Sequence, residues 1–233
     1  MVVPNMNKYK QVYYELNAFL FDIKNVDPKM FGLRMSFGTK MFGFEMMHRA
    51  TLKQIKELEQ VCRKESSEKK VLLDETGKAR NESIVLFEAY LNAFYSLLQV
   101  IGKITSCFYQ KEKAKLSAKM AKQFDENFGS LIDILKSHFN IDPVFSSYLK
   151  TSLGWYETLK NNRHMITHEG SAFLGFANDG KILFLDYPHP KKGFSWFDSN
   201  KSTKDLESYL GKNFEDLFNF LDFYVKHFRQ WIK

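Results

Sequence analysis

Ten consecutive residues, Asn161-Asn162-Arg163-His164-Met165-Ile166-Thr167-His168-Glu169-Gly170, hold the densest chemistry in the chain: one arginine and two histidines within six positions. Arginine offers a permanent planar cation with five donors, and histidine gives or takes a proton near neutral pH. Three chemistries fit such a set. His164 and His168, one helical turn apart, could share a metal ion, but the Glu of an HExxH pair is replaced by Met165 and no third ligand stands nearby. A helix-terminal histidine could instead meet unsatisfied carbonyls while the arginine pairs with a core carboxylate. Or the set could act on a phosphodiester without metal, Arg163 countering charge that develops on phosphorus and His168 serving as general acid or base.

Helix phase bears on the choice. Extending the inner stripe of Tyr156 and Leu159 puts Arg163 and Ile166 on the buried side, so Arg163 is expected as a cation where an apolar residue belongs. Glu88, which interrupts an otherwise apolar stretch, is a candidate partner. His164 and His168 share a face, whereas positions 163 and 168 lie about 140° apart on an ideal helix. Arg163 and His168 converge on one small group only if the helix loosens before Gly170.

The elements that must hold this segment read as mainly helical. A helix is expected from about Tyr9 to Lys24, stopped by Asp27-Pro28. Met30 to Met47, punctuated by Gly32, Gly38 and Gly43, reads as a short hairpin or an irregular apolar loop. Helices follow over His48–Glu65 and, after a polar connection, over Ala79–Tyr109, the latter long enough to be the spine of an antiparallel bundle. Lys111, Lys115, Lys119 and Lys122 fall on one face of a helix that presents Leu116, Met120 and Phe124 on another. Such a stripe either tracks a phosphate backbone or is a solvated face. Asp142-Pro143 starts a helix with an acidic cap and a first-turn proline, and that helix is expected to run straight into Arg163. A β-hairpin is expected over residues 172–186 around Asn178-Asp179-Gly180, then a loop at Pro188–Gly193. A last helix, Lys204–Ile232, has a break near Gly211.

Composition narrows the class. In 233 residues, 44% hydrophobic and 26% charged, there is enough apolar material for a proper core. A net charge of +7 suits a polyanionic partner without demanding one. Two cysteines, Cys62 and Cys107, make no CxxC spacing and no disulfide scaffold, which fits a reducing compartment. Neither a secretory leader nor a membrane span is expected, because charged or amide residues interrupt each long apolar stretch.

Arg163-His164-Met165-Ile166-Thr167-His168, late in a helical bundle, with Asn162 before it and Glu169-Gly170 after, resembles the R-x4–6-H motif of the HEPN superfamily. The similarity covers about Ala79 to Gly170. It implies an all-α, up-and-down helical bundle forming one domain over residues 1–233. An N-terminal extension of about residues 1–47 and a β-hairpin insertion near 171–187 would be additions to the family pattern. It also implies a cytoplasmic homodimer whose two motifs meet across the interface. No cofactor or metal would be needed. RNA is the implied substrate, cut to 2′,3′-cyclic phosphate and 5′-OH ends, as by a toxin or defence effector paired with an antitoxin or regulatory protein. Arg163 would bind the scissile phosphate, His168 would be the acid/base, His164 would orient the group and Asn162 would support them. Other members with similar motifs bind RNA or protein without turnover.

Overall fold

The computed structural model describes residues 6–23, 29–68, 73–169, 172, 174–177, 179–186 and 202–232. Over these the chain is helical apart from one small sheet. The helices are α1 (Met6–Ile23), α2 (Lys29–Glu68), α3 (Leu73–Phe108), α4 (Gln110–Lys113), α5 (Ala118–Glu126), α6 (Phe128–Ser137), α7 (Pro143–Ser152), α8 (Gly154–Glu169) and α9 (Leu206–Arg229). The strands are β1 (Leu174–Phe176), β2 (Ile182–Asp186) and β3 (Ser202–Asp205). The chain divides into two compact units, with the divisions falling inside α2, α3, α8 and α9.

The first unit comprises Met1–Met41, Ser96–Trp155 and Phe214–Lys233. In it α1 buries Val12, Leu16, Phe19, Leu20 and Ile23, one stripe at helical spacing. The Tyr9 ring meets the edges of Phe214 and Phe218. Gly102 of α3 lets α6 approach closely, for a Cβ there would lie 3.0 Å from the Cα of Phe128. Replacing Gly102 with Val forces that contact open, with an expected loss of about 1–3 kcal/mol despite the gain in helix propensity. A urea titration of the variant measures it. The start of α6 is well satisfied: Asn127 accepts from the Ser130 N–H, and the Gln99 side chain accepts from the Phe128 N–H.

Asp142 caps α7 as the sequence leads one to expect, its Oδ1 accepting the Phe145 N–H at 2.8 Å ahead of Pro143. Its other oxygen, Oδ2, accepts from the Tyr109 hydroxyl at 2.7 Å and from His227 Nε2 at 2.6 Å. The His227 ring lies nearly parallel to Phe145 and Phe223. All three members of this Tyr–Asp–His cluster are buried.

The second unit comprises Phe42–Tyr95 and Tyr156–Asn213. Its core joins Phe44, Ile55 and Leu58 of α2, Phe87, Tyr90, Leu91 and Phe94 of α3, Tyr156 and Leu159 of α8, and Leu206 and Leu210 of α9. The Thr51 hydroxyl donates to Leu86 O at 3.1 Å, tying α2 to α3. His48 is buried against the Phe44 and Tyr90 rings, and burial lowers its pKa to about 4, so its ring is neutral at pH 7. The sheet is antiparallel in the order β1-β2-β3, with Leu174 opposite Phe184 and Leu183 opposite Asp205. Gly180 takes φ +82 in the turn between β1 and β2, a left-handed conformation that glycine adopts without strain.

Four sequence expectations need correction, and the hairpin, which forms as expected, needs one addition. Met30–Met47 is neither hairpin nor loop but the first half of the 40-residue α2. The helix begun at Pro143 does not run unbroken to Arg163; it stops at Ser152 and restarts at Gly154 after Leu153. The lysine stripe is not one helix face, because α4 ends at Lys113 and Ser117 caps a separate α5. The expected hairpin is two strands of a three-stranded sheet, since residues 202–205 add β3 ahead of the last helix. That helix passes through Gly211 without a break. The expected stop at Asp27-Pro28 and loop at Pro188–Gly193 lie outside the described residues.

Within α3, Gly77–Phe108 is long and apolar enough by length and composition to cross a membrane, and 44% of its most apolar window is buried inside the protein. That pattern is also that of a core helix in a soluble bundle.

Candidate functional site on α8

The buried face of α8 runs through Tyr156, Leu159, Asn162 and Met165. The phase therefore differs by one residue from that expected. Asn162, not Arg163, is the polar residue turned into the core, where its Nδ2 donates to the Tyr209 hydroxyl at 3.2 Å. Its role is to fix α8 against α9 through a satisfied buried amide.

Arg163 is half-buried on the flank of the helix. Its guanidinium lies over the Tyr95 ring, 4.6 Å from the centroid, and its Nε–H donates to Asn92 Oδ1 at 3.3 Å. Both partners are neutral and come from α3. Glu88 is not its counter-ion; that carboxylate accepts the Ala172 N–H at 3.0 Å, ahead of β1. Among the described residues no carboxylate lies within ion-pair distance of Arg163. A cation–π contact of this type contributes about 0.5–2 kcal/mol, enough to bias the side chain toward one position without neutralising it.

His164 follows on the exposed surface. The backbone stays α-helical through His168 to Glu169, so the loosening needed for Arg163 and His168 to converge within one chain does not occur. Positions 163 and 168 remain about 140° apart around the axis. The side chain of His168 lies outside the described residues. Among the described residues no group of three or more His, Cys, Asp or Glu side chains gathers as a metal site would require.

Lys111, Lys115, Lys119 and Lys122 belong to the first unit and are exposed. Lys115 pairs with Glu112 at 2.7 Å, and the neighbouring Lys113 pairs with Asp125. Part of the local positive charge is thus already answered by carboxylates. If the four lysines nonetheless contact phosphates, replacing them all with Ala should flatten the dependence of log K for RNA on log salt by about 3. Fluorescence anisotropy across a salt series measures that slope, and an unchanged slope makes them an ordinary solvated surface.

Tyr95, Asn92 and Tyr209, which hold Arg163 and Asn162, were not singled out from sequence. The only signal available was the spacing of Asn92 and Tyr95 within an otherwise apolar helix. Comparison with protein-family models, with curated proteins and with solved structures finds no match to the chain.

Proposed function

We propose that this protein is a HEPN-type, metal-independent endoribonuclease acting as a homodimer in the cytoplasm, of the toxin or defence-effector kind. The observation that carries the reading is Arg163. It is held over Tyr95 and on Asn92 by neutral partners, leaving a positioned planar cation suited to a phosphate. In the proposed reaction the RNA 2′-OH loses its proton to a base as its oxygen bonds to phosphorus. The P–O5′ bond breaks, and the departing oxygen takes a proton from an acid, giving a 2′,3′-cyclic phosphate and a 5′-OH. Arg163 stabilises the charge on the phosphoryl oxygens, His168 transfers protons and His164 helps to orient the phosphate.

The regular helix through Glu169 adds a condition. Since positions 163 and 168 lie about 140° apart around one helix, the pair acting on one phosphate comes from two chains. The same observation favours a second reading, a HEPN-like module that binds RNA or protein without cutting. RNA cleavage in EDTA decides between them. Wild type should yield cyclic-phosphate ends in chelator, and Arg163→Ala should abolish them. Binding without cleavage in wild type would establish the module instead.

A further inference from the structure

Asn92 uses only half of its amide. It stands with Tyr95 on α3, Arg163 stands on α8, and all three belong to the second unit. Asn92 Oδ1 accepts the Arg163 Nε–H at 3.3 Å. A guanidinium can only donate, so the amide turns its oxygen to it, and this settles which end is Nδ2. Covalent geometry sets Nδ2 about 2.3 Å from that oxygen, hence within roughly 6 Å of Nε. Among the described residues nothing accepts from Nδ2 or from either Nη of Arg163, and Asn92 is exposed. Two helices thus present unused donors within reach of one ligand.

We propose that Asn92 is a second phosphate-binding residue beside Arg163. Its Nδ2–H donates to one non-bridging oxygen of the group whose other oxygen meets the guanidinium. Hydrogen bonds of about 2.9 Å to two oxygens of one phosphate span donors this far apart. The local charges name the group. Lys160, one turn earlier on α8, pairs with Glu157 at 3.9 Å. Glu88, one turn before Asn92 on α3, is a carboxylate that already accepts the Ala172 N–H, and its charge penalises any surplus of negative charge nearby. One guanidinium is left to answer the ligand. It balances the single charge of an internal phosphodiester, whereas a terminal phosphate carries about −1.5 to −2. The ligand is therefore the backbone of an RNA strand, held away from its ends. This inference rests on the reading of Arg163 as a phosphate contact, and not on cleavage.

The probe is a short, fluorescein-labelled 2′-O-methyl RNA strand, which has phosphodiesters but no free 2′-OH to attack them. Asn92→Ala should lower its affinity about tenfold, the loss typical of a hydrogen bond to a charged group, and leave the salt slope unchanged. Asn92→Asp still accepts the Arg163 Nε–H, but it removes the donor and answers the cation. It should fold at least as stably as wild type, bind as weakly as Arg163→Ala, and lower the salt slope by about 0.7, one single-strand phosphate. A direct reading needs no variant to bind. In a nitrogen–proton correlation spectrum, the side-chain amide pair missing from Asn92→Asp should move when the strand is added to wild type, and stay still in Arg163→Ala. Adding a terminal phosphate to the strand should not raise its affinity.

Strand binding indifferent to Arg163→Ala refutes the phosphate reading of Arg163 itself. Binding that needs Arg163 while the Asn92 amide protons stay still overturns only the present proposal, as does wild-type affinity in Asn92→Asp. A gain from the terminal phosphate that depends on Arg163 overturns the phosphodiester assignment.

Discussion

Mixing inactive Arg163→Ala and His168→Ala chains should restore RNA cleavage to about a quarter of the wild-type rate. Each substitution alone is expected to lower cleavage by about 10³-fold or more, since in the proposed reaction one removes the cation that faces the phosphate and the other the proton carrier. The restoration follows from the helix. α8 is regular through Glu169, which keeps positions 163 and 168 on different sides of the axis. In the proposed homodimer, a site that joins them would take Arg163 from one copy and His168 from the other. In a mixed dimer one of the two sites then has both residues intact. Half of a random mixture is mixed dimer, so one quarter of all sites work. The assay is a single-turnover cleavage time course in EDTA with equimolar variants, exchanged by dilution and reconcentration. If each chain carried its own complete site, the mixture would stay inactive, and the two-chain arrangement would be excluded. Arg163→Lys sharpens the result: a point charge cannot replace the planar fork lying over Tyr95. Its expected cleavage stays within about tenfold of the alanine variant.

The fold was readable where one apolar stripe repeats without interruption, as in α1 and α9, and where a cap has its own chemistry, as at Asp142-Pro143. It was not readable in the first half of α2. There the buried series Met30, Phe37, Met41, Phe44 follows helical spacing. The outward Phe31, Met35, Phe42 and Met46 overlay it, so the combined pattern has no period. Glycines at 32, 38 and 43 then resemble turn residues, although in the structure none of them turns the chain. The lysine stretch failed for the opposite reason. Its lysines suit a continuous helix, but the first helix ends at Lys113 and Ser117, an N-cap residue, starts the next.

At the candidate site, residue types were legible and their phase was not. Tyr156 and Leu159 are three apart, so their stripe runs on to 162 as readily as to 163, and taking 163 set the phase wrong by one residue. That error exchanged Asn162 with Arg163. The buried polar residue is the amide, which finds one hydroxyl partner, Tyr209. The arginine lies on the flank, where a ring and an amide oxygen from α3 can hold it. A sequence cannot name those partners, because Asn92 and Arg163 are 71 positions apart and meet only through packing.

Asp142→Ala should be the most destabilising single change in the first unit, by about 3–5 kcal/mol, the loss typical when one member of a buried charged cluster is removed. Three donors lose their acceptor at once: the Phe145 N–H at the start of α7, the Tyr109 hydroxyl and His227 Nε2. For a chain of this length such a loss lowers Tm by about 10 °C. Its pH dependence identifies the cause. Burial alone would raise the Asp142 carboxyl, but the hydrogen bonds from His227, from the Phe145 N–H and from Tyr109 outweigh it and hold the pKa below the ordinary 3.8. Burial first, and the Asp142 hydrogen bond second, push the Tyr109 hydroxyl up, so it stays a donor throughout the accessible range. With the folded pKa of Asp142 below its unfolded value, the unfolded chain takes up the proton first as pH falls. The carboxylate's stabilisation is therefore complete above the unfolded value and drains away as pH drops through the folded one. Urea midpoints for wild type and Asp142→Asn should accordingly differ most near neutrality, begin to converge below about pH 4, and meet only below the folded pKa of Asp142. A gap that stays constant with pH would mean that the charge at Asp142 contributes nothing and that shape alone holds the cluster. The neutral Asn would then retain the α7 cap, and only Asp142→Ala would lose it.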